Sequence, residues 1–305
     1  MDDPSRIQTI IQYIPPQLQS NTLPLYERLL ELQRDDPAEL AKTHTQLAVL
    51  MYTLGDIQTT LQHLHQALEL REQKLGKDHQ QVAATCIHLG AMYRNSGDFE
   101  TSLKYMLQAL EIQKKNLGEE HPVVASSYNN IGALHYQSND YARAIREYEK
   151  ALTIHLKIHG EVHADTSGTY HNLGTAWKQL GDSNTALEYL QKALHLLETA
   201  LGTFEHPDIA SSYNNMALVL SQLPDRQGEA LEKYRSATES FEKTLGSEHP
   251  HVAACRFNIA LMLQTQGLKE DAKKEFELAR DIWETSYGRE HAHTEMAQKG
   301  VEECN

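Results

Sequence analysis

Between Pro122 and Ile158 the apolar residues fall into two helical stripes separated by a short polar break. Val124, Tyr128, Ile131 and Leu134 recur every three or four residues, which aligns them on one helix face. Ser138-Asn139-Asp140 interrupts the stripe, and Ala144, Ile145, Tyr148, Ala151 and Leu152 resume it. Gly132 in the first stretch and Ala144 and Ala151 in the second are small enough to let two helix backbones approach closely. Each such pair keeps an apolar flank that only another pair can cover.

The pattern repeats along the chain. Gly76, Gly118, Gly160 and Gly202 are 42 residues apart, and Gly246 and Gly288 follow after 44 and 42. A constant period of this size predicts an all-α stack of antiparallel helix pairs. Pro122 sits early in its helix, where a missing N–H costs nothing. Asn139 stands where Gly55, Gly97 and Gly181 stand in sister repeats, which predicts a left-handed turn residue there.

The expected organisation has degenerate capping helices over residues 1–36, six pairs over 37–290 and a capping helix over 291–305. The pairs span about 37–74, 78–116, 121–158, 163–200, 206–244 and 249–286. In the first cap, Ile7, Ile10, Ile11 and Ile14 predict a short helix ended by Pro15-Pro16, and Pro24 opens a second. The fifth pair carries two extra residues, one before His206 and one in LPDRQG, where Pro224 remakes the turn.

Charge and composition narrow the function. The net charge is −14 with no basic cluster, which argues against nucleic acid and anionic membranes as partners. No apolar run reaches the length of a membrane span, and the acidic N-terminus lacks a signal-peptide pattern. The three cysteines, Cys86, Cys255 and Cys304, have no paired spacing, which points to a reducing, cytoplasmic setting. Phosphate-binding glycine loops, nucleophile elbows and zinc-protease motifs are missing, so neither an enzyme nor a cofactor site is expected.

Histidine is abundant, and its placement matters. His79, His121, His163, His206, His249 and His291 occur once per repeat, a layer apart, too far for shared coordination. Their repetition predicts a loop or cap role at the start of each first helix. His44 with His63 and His65, and His291 with His293, lie closer together but lack cysteine or carboxylate partners at ligand spacing. No metal site is expected.

The bulky-small pairs Leu89-Gly90, Ile131-Gly132, Leu173-Gly174, Met216-Ala217 and Ile259-Ala260 hold one place in the first helices. Ala67, Ala109, Ala151, Ala193, Ala237 and Ala279 hold another in the second helices. This skeleton resembles tetratricopeptide repeats. The 42-residue form with LGxxHPxVA and NN[IL][AG] is similar to the kinesin light chain subclass. One feature departs from it: only about 36 residues precede the repeats, broken by prolines and without the heptads that hold a heavy chain. The chain is therefore expected to be a free-standing array and not a motor subunit.

The resemblance implies a right-handed superhelical α-solenoid whose first helices line a concave groove. Carried over by position, the implied groove residues are His88 and Arg94 in the second repeat and Asn129, Asn130 and Tyr136 in the third. His171, Asn172 and Lys178 follow in the fourth, Asn214 and Asn215 in the fifth, and Asn258 in the sixth. Asn130, Asn172, Asn215 and Asn258 share one helical position although Asn is a mediocre helix former. A carboxamide both donates and accepts, so this ladder suits a peptide backbone, the role the resemblance implies; the alternative is a tie between neighbouring repeats.

The expected function is a non-enzymatic scaffold or adaptor that holds an extended peptide or partner segment. Arg94 and Lys178 imply a partner with at least one acidic residue. The alternatives are a regulatory sensor of a short signalling peptide and a self-associating module that forms a homo-oligomer.

Overall fold

A histidine starts most of the first helices in this structure. The computed structural model describes residues 3–14, 21–203 and 205–304; Pro15 and Pro16, expected to end the first helix, lie outside them. Two compact units divide the chain, residues 1–140 and 141–305. The first unit carries α1 (Pro4–Tyr13), α2 (Leu23–Leu32), α3 (Pro37–Thr53), α4 (Ile57–Leu75), α5 (Gln80–Asn95), α6 (Phe99–Leu117) and α7 (Pro122–Gln137). The second carries α8 (Tyr141–His159), α9 (Ala164–Leu180), α10 (Ser183–Leu201), α11 (Pro207–Leu220) and α12 (Gln227–Leu245). It ends with α13 (Pro250–Thr265), α14 (Lys269–Tyr287) and α15 (Ala292–Cys304). No strand occurs among the described residues.

Caps explain the boundaries. His79, His121, His163, His206 and His249 are N-caps, and each accepts on Nδ1 from the backbone N–H two residues on, at 3.2 Å. His291 does the same toward His293 at 3.3 Å. The recurring histidine thus does the work usually given to Ser or Asp, satisfying an orphan N–H of the first turn. Asp56, Asp98 and Asp182 cap α4, α6 and α10 through the N–H of Thr59, Thr101 and Thr185. Between paired helices the chain turns on a left-handed residue, Gly181 at φ 93° and, in its place, Asn139 at φ 62°. Where the second extra residue of the fifth pair falls, Pro224–Arg226 form a single 3₁₀ turn before α12.

Each unit buries its own core. In the first, Ile7, Tyr26 and Leu29 of α1 and α2 cover Leu47, Leu50 and Met51 of α3. Leu64, Val82, Cys86, Leu89 and Ala109 fill the layer between α3 and α6. In the second, a single cluster runs from Leu190 through Ile209, Met216, Tyr234 and Phe276 to Val301. All three cysteines are free and buried, and burial pushes the thiols of Cys86 and Cys255 up to about 12. Among the described residues no helix is long and apolar enough to cross a membrane.

Candidate functional site

In the second unit the first helices of successive pairs, α9, α11 and α13, turn a run of half-buried residues toward a chain of clefts. A cleft of about 300 Å³ lies between α9 and α11, lined by Gly168, His171 and Asn172 on one side and Asp208, Ser211 and Ser212 on the other. The next, of about 190 Å³, begins at the same Ser211 and adds Asn214, Asn215, Phe241, His251 and Ala254. His251 and Ala254 pass into a third, of about 480 Å³, with Phe257, Asn258, Trp283, Tyr287, His293 and Met296. Shared wall residues make the three clefts neighbours in one path. Small side chains, Gly168, Ser211 and Ala254, leave the room.

Five predicted residues line this path: His171, Asn172, Asn214, Asn215 and Asn258. Their amides are not equivalent. Asn215 Nδ2 lies 3.1 Å from His171 Nε2, and Asn214 Oδ1 accepts from Cys255 Sγ at 3.5 Å. Both bonds join one first helix to that of an adjacent repeat. Among the described residues no hydrogen bond engages the side-chain amides of Asn172 or Asn258. Burial holds His171 below the ordinary imidazole range, with Asp208 opposing, and likewise lowers His251 beside His249. Lys178, half-buried two turns beyond His171, has its ammonium disfavoured by burial and makes no ion pair among the described residues.

In the first unit the predicted residues are more dispersed. His88 joins Ala91 and Met92 of α5, and Ala48, Val49 and Tyr52 of α3, around an apolar pocket of about 190 Å³. Asn95 Nδ2 donates to the Tyr52 hydroxyl at 3.3 Å across the same two helices. Arg94 is half-buried, and its Nε has no hydrogen-bond partner. On α7, Asn130 is exposed, whereas Asn129 and Tyr136 are half-buried.

Two sets of residues lie outside the sequence expectation. Trp283 and Tyr287 of α14 and Phe241 of α12 come from second helices, yet they wall the clefts. Their size at positions held by smaller or polar residues in other repeats was the available signal. His155, His159 and Asp165 form a group that could hold a metal ion, although no metal site was expected. The i, i+4 spacing of the two histidines on one helix was the sign of it.

The tetratricopeptide repeat model matches residues 82–157, 140–199 and 208–285, and a second model of the same repeat matches 40–81. The chain belongs to the tetratricopeptide repeat family, whose members mediate protein–protein interactions through stacked helix pairs. Among solved structures it is similar to the nearly identical repeats of a Podosopora anserina protein assigned as a kinesin light chain. That pair shares 22% identity over 68% of this chain and 97% of the other, with a TM-score of 0.59. BtubC (BKLC) from P. vanneervenii matches at 22% identity over 74% and 86%, TM-score 0.57. The apo form of RapI matches at 15% identity over 94% and 80%, TM-score 0.66. At these identities the likeness is one of fold. No curated protein matches the chain.

Proposed function

We propose that this chain is a non-enzymatic interaction module whose second unit holds an extended peptide segment along α9, α11 and α13. The observation that carries this reading is the run of three clefts joined by shared residues, with the unengaged amides of Asn172 and Asn258 on its walls. An amide can both donate to and accept from a backbone without selecting a side chain, so it suits main-chain recognition. Lys178 supports a partner with an acidic residue: an anion beside a half-buried ammonium relieves the cost of its burial. The module needs no cofactor and works in the cytoplasm, where its buried free thiols stay reduced.

Selection of a displayed random-peptide library against the wild-type chain and an Asn172→Ala/Asn258→Ala variant tests this directly. The wild type should enrich peptides carrying acidic residues, and the double variant should bind the same peptides about tenfold or more weakly, two hydrogen bonds at about 1 kcal/mol each. Equal affinity in a folded variant, or enrichment of basic sequences, would overturn the reading.

A further inference from the structure

The third repeat departs from its sisters at two places. Before the repeat glycine the others carry Leu75, Leu117, Leu201, Leu245 or Tyr287; this repeat carries His159. Four residues earlier, where Arg71, Gln113, Leu197, Phe241 and Trp283 stand elsewhere, it carries His155. The spacing puts both imidazoles on one face at the end of α8, with ring centroids 5.9 Å apart. Asp165, in the first turn of α9, brings its Oδ2 to 3.9 Å from His159 Nε2. One ligand atom from each of the three residues lies within 4.8 Å of the other two.

We propose that His155, His159 and Asp165 bind one divalent transition-metal ion of the zinc class, clasping α8 to α9. His159 Nε2 is buried without a hydrogen-bond partner, a cost that a metal bond removes. Zinc–nitrogen and zinc–oxygen bonds of about 2 Å set tetrahedral ligand atoms about 3.3 Å apart, so the three atoms, within 4.8 Å of one another, draw together on binding. Two imidazoles and one carboxylate suit zinc, nickel or copper, whereas magnesium and calcium take oxygen sets. Asp165 is exposed, which leaves a fourth position to water. His163 orients the group: its ring stacks on that of His159 at 4.0 Å, and its Nδ1 accepts from the Asp165 N–H at 3.2 Å. The carbonyl end of α8 adds a favourable dipole for a cation.

The test is titration of Zn²⁺ into the chelator-stripped full chain by calorimetry, with Mg²⁺ and Ca²⁺ in parallel. The variants are His159→Leu, which installs the residue of four sister repeats, and Asp165→Asn. Wild type should bind one Zn²⁺, raise its melting temperature with it, and ignore Mg²⁺ and Ca²⁺. Each variant should lose about a hundredfold or more in that affinity, at least the upper cost of disturbing a ligand's support. Zn²⁺ binding of equal affinity and stoichiometry in both variants would assign it to other histidines and overturn the proposal. So would a wild type whose melting temperature Zn²⁺ leaves unchanged. If His159→Leu does not fold, Asp165→Asn decides alone.

Discussion

Asn215 donates from Nδ2 to His171 Nε2 across 3.1 Å, joining α11 to α9 one repeat earlier. The imidazole is therefore an acceptor at Nε2 and carries its proton on Nδ1, and burial keeps the ring neutral. The rung at 215 is a tie between layers, while the rung at 172 has its amide open to the cleft.

The two rungs should separate in experiment. Asn215→Ala should lower unfolding free energy by about 0.5–1.5 kcal/mol, because the buried imidazole loses its donor. Asn172→Ala should leave stability level or slightly raised, since Ala is the better helix former, while weakening peptide binding. Urea denaturation of both variants decides; equal stability losses would mean that the two rungs do one job.

Glycines inside the first helices should tolerate a methyl group according to what that methyl meets. A Cβ at Gly90 would lie 2.8 Å from Met106 Cγ, at Gly174 2.6 Å from Leu190 Cγ, and at Gly300 2.7–2.8 Å from three ring carbons of Phe276. Methionine adapts, a fully buried leucine less so, and a fully buried aromatic ring least. Against the helix-propensity gain of about 1 kcal/mol from Gly to Ala, Gly90→Ala should be near neutral. Gly174→Ala and Gly300→Ala should destabilise by about 1–3 kcal/mol, the latter more. Thermal melts of the three variants give the order, and a stabilised Gly300→Ala would contradict it.

The repeat made most of the fold legible. Asn139 could be placed in a left-handed turn because glycines mark the same spot elsewhere, and its φ of 62° is what they imply. The recurring histidine could be read as a loop or cap residue because repetition at one position is a local backbone property, and the structure makes it a cap. The site was less legible, since it depends on how neighbouring helices are rotated against each other. That rotation turns Asn215 onto His171 and brings Trp283 and Tyr287, from a second helix, into the cleft wall. The His155–His159 pair is illegible from the repeat for a different reason: it stands in one repeat only, so no recurring position marks it.

Stability should fall on mild acidification. His44 is buried against His63, their Nδ1 atoms 3.0 Å apart, and burial together with His63 lowers its pKa from 6.5 to about 4. The unfolded chain protonates this residue below pH 6.5 and the folded chain does not, so protons pull toward unfolding through that window. The contribution is intact above 6.5, is lost as pH falls toward 4, and flattens below it. One such group is worth on the order of 3 kcal/mol. His63, His65, His171 and His251 shift in the same direction through burial and steepen the loss. Denaturant midpoints from pH 8 to 4 should drop, and His44→Gln should reduce the slope; an unchanged slope would remove His44 as its source.

The histidine caps offer the sharpest link from sequence to energetics. His249 accepts the His251 N–H at 3.2 Å in the geometry that Asp or Asn uses at an N-cap. His249→Asn should therefore keep the cap, whereas His249→Ala should cost about 1 kcal/mol, the usual loss when an N-cap acceptor is removed. The same pair of changes at His121 and His206, whose Nδ1 atoms accept the Val123 and Asp208 N–H groups, should give the same difference. These caps lie in different layers and share no partner, so the three losses should add within a few tenths of a kcal/mol. Chemical denaturation of the triple Ala and triple Asn chains measures the sum. If the triple Asn chain is as weakened as the triple Ala chain, the histidines act through contacts of their rings, such as that of His249 with His251, and not through the cap.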